Sequence, residues 1–181
     1  MTKIIYCDVE STGLDPTRHV IWEMAYAVGD GPIRSSFVQH NLHNADPVAL
    51  EIGRYDKRAR EPMPRYADML RFEDELREEL DGATIVGANP AFDAAMLFAR
   101  WHVAPWHYRV LDVECYAMPA LGLAVPRGLA FLCEVFGVLA PDHSAAGDVR
   151  AVREVHQALV EHYASARASY EHVTAREAAQ V

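Results

Sequence analysis

Cysteine is scarce in this sequence. The three present, Cys7, Cys115 and Cys133, are odd in number and show no CxxC spacing. That excludes a disulfide framework and a zinc knuckle, and a reducing cytosol is the default. Basic charge is also short: 17 Lys and Arg stand against 26 Asp and Glu, a formal net charge of −9. No global basic field holds such a chain to nucleic acid. Long apolar runs are missing; none approaches the ~20 residues of a membrane span, so no membrane association is expected. The opening Met1-Thr2-Lys3-Ile4-Ile5 meets a charge at Asp8 and does not read as a signal peptide, so a cytoplasmic location is expected. No internal repeat is visible, and no low-complexity stretch breaks the chain before its tail. What remains is 181 residues, 51% hydrophobic and 24% charged, the composition of one ordinary globular domain.

Ile4 to Val9 is a nearly continuous apolar run and reads as a central buried strand. Ser11 to Pro16 is a turn. Val20 to Val28 reads as a second strand, and Asp30-Gly31-Pro32 turns the chain into a third, about Ile33 to Asn41. A helical stretch follows. It is weakly patterned and arginine-rich over Pro47 to Arg60, and Pro62 and Pro64 interrupt it. It is clear over Tyr66 to Leu80, where Met69, Phe72, Leu76 and Leu80 fall at helical spacing. Ala83 to Ala88 reads as a short strand, Pro90 to His102 as a helix with proline in its first turn, and Tyr108 to Val113 as a fifth strand. Helices are expected over Arg127 to Phe136 and Ser144 to Ala164, followed by an Ala-rich tail, helical or frayed. The order predicts an α/β domain with one mixed sheet covered by helices.

Carboxylates occur where apolar residues belong. Asp8 and Glu10 close the first strand on the same face, because strand side chains alternate. Two adjacent acids there repel and lose hydration, so such a pair calls for a cation. Solvent exposure beyond the strand end is the alternative. Asp93 shares a helical stripe with Met96, Leu97 and Trp101, and Asp148 shares one with Val152, Val155 and Leu159. Both acids also lie near helix starts, where the helix dipole alone favours them. Four carboxylates meeting at one point bind hard divalent cations, magnesium or manganese rather than zinc. His143 lies in the loop before the Asp148 helix, placed to take a proton from water. A second H-x4-D pair, His107 and Asp112, brackets the fifth strand and points to opposite faces.

These residues resemble the DnaQ-like, or DEDDh, 3′–5′ exonucleases of the ribonuclease H-like superfamily. Asp8-Val9-Glu10-Ser11-Thr12-Gly13-Leu14 resembles the first motif, D-x-E-[ST]-[ST]-G. Asn89-Pro90-Ala91-Phe92-Asp93 is similar to the second, N-x-x-F-D, and His143 to Asp148 to the third, H-x4-D. The resemblance spans about Lys3 to Tyr163. It implies a three-layer ribonuclease H-like fold, with a five-stranded mixed sheet whose first three strands are antiparallel. It implies an exonuclease domain over residues 1–165 and a C-terminal tail over 166–181.

The resemblance further implies hydrolysis of the terminal phosphodiester of DNA or RNA, releasing nucleoside 5′-monophosphates. Asp8, Glu10, Asp93 and Asp148 would hold two divalent cations, Mg2+ or Mn2+, with His143 as general base. Ser11, Thr12, Gly13 and Leu14 would contact the 3′-terminal nucleotide, and Asn89 would help shape its pocket. The expected partner is a nucleic acid 3′ end, preferably single-stranded. A polymerase, another replication or repair protein, and a second copy of the chain stay open as partners. Asp112 resembles a structural carboxylate of the fifth strand. Ala88 departs from the histidine that many members place before the second-motif asparagine; the change concerns subfamily rather than chemistry. Two other classes remain: a catalytically quiet nucleic-acid-binding or polymerase-associated scaffold, and a phosphodiesterase restricted to short oligonucleotides.

The basic run Arg54 to Arg60 reads as a solvated helix face or a grip on the phosphodiester strand. His40 and His43 read as a surface turn, Trp101 and Trp106 as packing residues, and Cys7 as a small buried residue facing away from Asp8.

Overall fold

The computed structural model describes residues 3–59 and 63–178, and of residues 169–178 the backbone alone. The strands are β1 (Ile4–Ser11), β2 (Ile21–Val28), β3 (Arg34–Phe37), β4 (Thr84–Gly87) and β5 (Leu111–Asp112). They form one sheet in the order β3-β2-β1-β4-β5. β1, β2 and β3 pair antiparallel, whereas β4 runs parallel to β1 and β5 parallel to β4. The helices are α1 (Pro47–Ile52), α2 (Tyr55–Arg58), α3 (Tyr66–Leu80), α4 (Pro90–Trp101), α5 (Val113–Leu121), α6 (Leu129–Phe136) and α7 (Ala145–Ala178).

Alternation along β1 divides the core in two. Ile5, Cys7 and Val9 pack with Phe72 and Leu76 of α3 and Met96 and Leu97 of α4. Tyr6 faces the other way, toward Val149, Val152, Val155 and Leu159 of α7 and Leu132 of α6. Each such buried valine or leucine contributes about 2 kcal/mol. Ala25 and Ala27 of β2 belong to this second cluster, and their small side chains let α7 lie close on the sheet. The result is the expected three-layer α/β architecture with a mixed five-stranded sheet. Asp8 and Glu10 share the Tyr6 face, so they end β1 on the side that α7 covers.

Local details differ from the sequence reading. The fifth strand holds only Leu111 and Asp112; Val113 already begins α5, a helix the sequence reading missed. Asp112 starts that helix, its Oδ1 accepting the Glu114 N–H at 2.9 Å. Pro119 inside the segment hides its helical character. The third strand is confined to Arg34–Phe37, short of the expected span to Asn41. The stretch from Pro47 breaks into α1 and α2 at Gly53 and Arg54, the latter at φ 52°. Pro62 lies outside the described residues. The last helix continues through Ala164 to Ala178. Among the described residues, no helix is long and apolar enough to cross a membrane.

Candidate active site

The end of β1 carries the two acids, and long-range hydrogen bonds fix what surrounds them. α4 starts with Asn89 at φ 57° and Pro90 in its first turn, and this entry aims Asp93 back at the sheet. Asp93, only 3% exposed, accepts the Val9 N–H on Oδ1 at 2.9 Å. The N–H lies between Asp8 and Glu10 in the chain. The third motif reaches the same place from the other layer. Asp142 Oδ1 accepts the Ser144 N–H at 3.0 Å and the Ser144 hydroxyl at 2.6 Å, and Ser144 Oγ accepts the Gly147 N–H at 3.0 Å. This caps the start of α7. A Cβ on Gly147 would stand 2.1 Å from Asp142 Oδ1, so any larger residue there must displace that carboxylate. His143 sits within it at φ 59°, exposed, and its N–H donates to Asp148 Oδ1 at 3.2 Å.

Asp8, Glu10 and Asp148, all half-buried, offer carboxylate oxygens within 4.8 Å of one another. Asp93 stands beside this trio with one oxygen committed to Val9. Burial raises Asp8 well above the usual carboxylate range, and the charges of Asp93, Asp148, Glu10 and Glu23 add to it. Burial, then Asp148 and Glu23, push Glu10 up to about 8, against the pull of the Arg58 cation. Burial raises Asp93 also, while the Val9 hydrogen bond opposes the rise. Asp148 is raised by burial and held down by His143. Such mutual frustration of carboxylates is relieved by a multivalent cation, and an all-oxygen donor set suits a hard one. The residues present therefore fit a divalent metal site.

The first-motif loop is internally braced. Ser11 and Thr12 are buried; the Ser11 hydroxyl donates to the Gly13 carbonyl at 2.7 Å, and Thr12 Oγ1 accepts the Val20 N–H at 2.9 Å. Gly13 packs on His19, where a Cβ would lie 2.6 Å from the ring. Leu14, in contrast, is 78% exposed. It lines a pocket of about 200 Å³ together with Glu10, Val48, Ile52 and Phe92. Asn89 is exposed at the start of α4, and its side chain does not cap the helix.

Three contributions escaped the sequence reading. Phe92 stands inside the second motif, yet its place in the pocket needed the fold. α1 supplies Val48 and Ile52, which no spacing connects to Glu10. Glu23 is buried in β2 opposite Glu10, and its visible signal was an acid inside the apolar run Ile-Trp-Glu-Met-Ala-Tyr-Ala-Val. Of the basic run, Arg58 turns inward and pairs with Glu23. His40 is half-buried, its ring bonded to the Tyr55 hydroxyl at 2.7 Å, and His43 is exposed. Trp101 and Trp106 pack against the α3 and α4 side of the core, and Cys7 is buried within it.

No protein-family model matches the chain, and no curated protein matches it in sequence. Solved structures do match. An exonuclease I from Methylocaldum szegediense is 21% identical, with a TM-score of 0.68 over 89% of this chain and 41% of that one. Exonuclease I from E. coli in complex with a dT13 oligonucleotide is 20% identical, with a TM-score of 0.64 over 88% of this chain and 41% of that one. The zinc-bound form of the E. coli exonuclease I complex with single-stranded DNA is 20% identical, with a TM-score of 0.69 over 89% and 41%. The chain thus spans about two fifths of the length of these neighbours, and over nearly nine tenths of its own length it has the α/β fold of the exonuclease I structures.

Proposed function

We propose that the chain is a metal-dependent 3′–5′ exonuclease that releases nucleoside 5′-monophosphates from DNA or RNA. One observation carries the reading. Asp8, Glu10 and Asp148, from two elements distant in sequence, gather their oxygens within 4.8 Å beside a pocket rimmed by Leu14 and Phe92. Asp8, Glu10, Asp93 and Asp148 would hold two divalent ions, magnesium or manganese. Bound there, the ions supply positive charge that makes water a nucleophile at neutral pH and steadies charge on the scissile phosphate. His143 takes the proton of the attacking water on its imidazole, a role its exposed place beside Asp148 suits. Leu14 and Phe92 hold the terminal base by apolar contact. The Ser11 and Thr12 hydroxyls serve the loop, leaving its backbone to approach the sugar. The single-stranded DNA in the exonuclease I complexes supports a single-stranded 3′ end as substrate.

The test is a panel of single- and double-stranded DNA and RNA oligonucleotides labelled at either end, with magnesium, manganese or EDTA. Mononucleotide release from the 3′ end is expected, abolished by EDTA and by Asp8→Ala. Full activity in either case overturns the metal assignment, and shortening from the 5′ end overturns the polarity. The charge of −9 favours a second reading, in which the substrate is a short oligonucleotide needing little grip beyond the site. A higher kcat/KM on dinucleotides than on long strands would select it.

A further inference from the structure

Glu23 faces Glu10 across β1 and β2 and is 5% exposed, a poor place for another acid. Two partners on opposite sides compensate it. Its Oε1 pairs with Arg58 Nη2, and its Oε2 accepts the Ala145 N–H at 3.1 Å, the first residue of α7. Arg58 does more than neutralise. Its Nη1 donates to the His143 carbonyl at 3.1 Å and, at 3.5 Å, to the Gly53 carbonyl. Its guanidinium lies 5.0 Å from the centre of the Trp22 ring and 5.9 Å from that of Phe37. The planar fork is thus fixed by an aromatic face, a carboxylate and two carbonyls, which an ammonium group cannot reproduce.

The residue at the far end of this bridge is strained. His143 is a non-glycine residue in the left-handed region, in an exposed turn. Its N–H is held by Asp148, and its carbonyl is held by Arg58, 85 residues earlier. The peptide groups on both sides of the histidine are therefore tied down, one from α7 and one from α2.

We infer that Arg58 is a positioning residue for His143. It sets the imidazole through the His143 carbonyl and through the Glu23 link to the start of α7, without touching substrate. The inference deepens the exonuclease reading and rests on it for its catalytic meaning.

Two measurements test it. In the first, amide hydrogen exchange is compared between wild type, Arg58→Lys and Arg58→Ala without metal or nucleic acid. Faster exchange at His143 and Ala145 is expected in both variants, larger in Arg58→Ala; unchanged exchange overturns the anchoring. The second is a double-mutant comparison of mononucleotide release. Arg58→Ala is expected to lower kcat by about 100-fold with KM altered less than about 3-fold, the cost of a misplaced catalytic group. Arg58→Lys, which keeps the charge and the pairing with Glu23, is expected to lose about 10-fold by the same argument. In a His143→Ala background, Arg58→Ala should change the rate by less than about 3-fold, since little is left to position. A full further loss there, or a rise confined to KM, overturns the inference and makes Arg58 a substrate contact. If Arg58→Ala does not fold, the Arg58→Lys pair decides by the same criteria. Wild-type protein that releases no mononucleotide overturns the exonuclease reading and the catalytic meaning of Arg58 with it, whereas the exchange experiment judges the anchoring separately.

Discussion

The Asp93 carboxylate accepts a hydrogen bond from the Val9 N–H at 2.9 Å, joining positions 84 residues apart. The bond sets the start of α4 against β1 and places an acid next to Asp8 and Glu10. The same group thus has a structural task, which a neutral acceptor can perform, and, in the proposed function, an electrostatic one, which needs charge. Asp93→Asn separates them. Its amide oxygen still receives the Val9 N–H, and Asp93's share of the repulsion felt by Asp8 disappears, leaving that of Asp148, Glu10 and Glu23. Without metal at pH 8, Asp93→Asn should melt at or above the wild-type temperature, and with magnesium present its mononucleotide release should be at least ~100-fold below that of the wild type. Asp93→Ala orphans the Val9 N–H and should cost roughly 1–3 kcal/mol by urea unfolding. A marked loss of stability in the Asn variant would show that the charge itself supports the fold.

The raised carboxylates predict how stability follows pH. Glu10 goes from its ordinary 4.5 to about 8 in the folded chain, and Asp8, Asp93 and Asp148 shift in the same direction. Below pH ~4.5 both states hold the Glu10 proton and it contributes no difference. Between ~4.5 and ~8 the folded state keeps a proton that the unfolded chain releases, so stability falls as pH rises. Above ~8 both states are ionised and the penalty is complete, on the order of a few kcal/mol for this group. Urea midpoints in EDTA should therefore decline from pH 5 to pH 8, and saturating magnesium should flatten the decline by binding the ionised folded state. A midpoint that rises with pH in EDTA would contradict the burial of these acids.

Much of the site was legible because it rests on short periods. Alternation in β1 put Asp8 and Glu10 on one face, and the 3.6-residue stripe put Asp93 and Asp148 inward. The same rule found α3, whose buried residues include Met69, Phe72, Leu76 and Leu80. Features that depend on a distant partner left no such trace. Arg58 looks like one more cation in a basic run until Glu23 and the His143 carbonyl meet it. α5 was hidden for a local reason: it is nine residues long, carries Pro119 and follows its two-residue strand without a loop. Its start depends on the Asp112 cap rather than on apolar periodicity.

Gly147 gives a direct test of the third-motif turn. Its missing side chain leaves room for Asp142 Oδ1, which a Cβ would meet at 2.1 Å, and for Ser144 Oγ at 2.9 Å. Gly147→Ala would improve helix propensity in isolation, by ~1 kcal/mol. Here it must push Asp142 off the Ser144 N–H, and loss of such a cap costs about 1 kcal/mol or more. The variant should be destabilised in thermal melts and should lose catalytic rate, because His143 lies within the displaced turn and Asp148 directly follows it. A gain in stability would mean that the Asp142 cap yields freely and that the turn does not hold His143.

Leu14 separates binding from folding. At 78% exposure it contributes little to the core, so Leu14→Ala should shift stability by no more than ~0.5 kcal/mol. A large apolar side chain held in solvent beside Glu10 gains only when something covers it. If that cover is the terminal base, truncation removes apolar contact worth roughly 1–2 kcal/mol, a 5- to 30-fold rise in KM for a single-stranded oligonucleotide. Phe92→Ala should raise KM as well, but it should also lower the melting temperature, because Phe92 packs against the α3 and α4 side of the core. The two variants therefore differ in a stated way: one moves KM alone, the other moves KM and stability together. Leu14→Ala with wild-type KM on every oligonucleotide tested would remove the pocket of Leu14 and Phe92 from the path of the substrate.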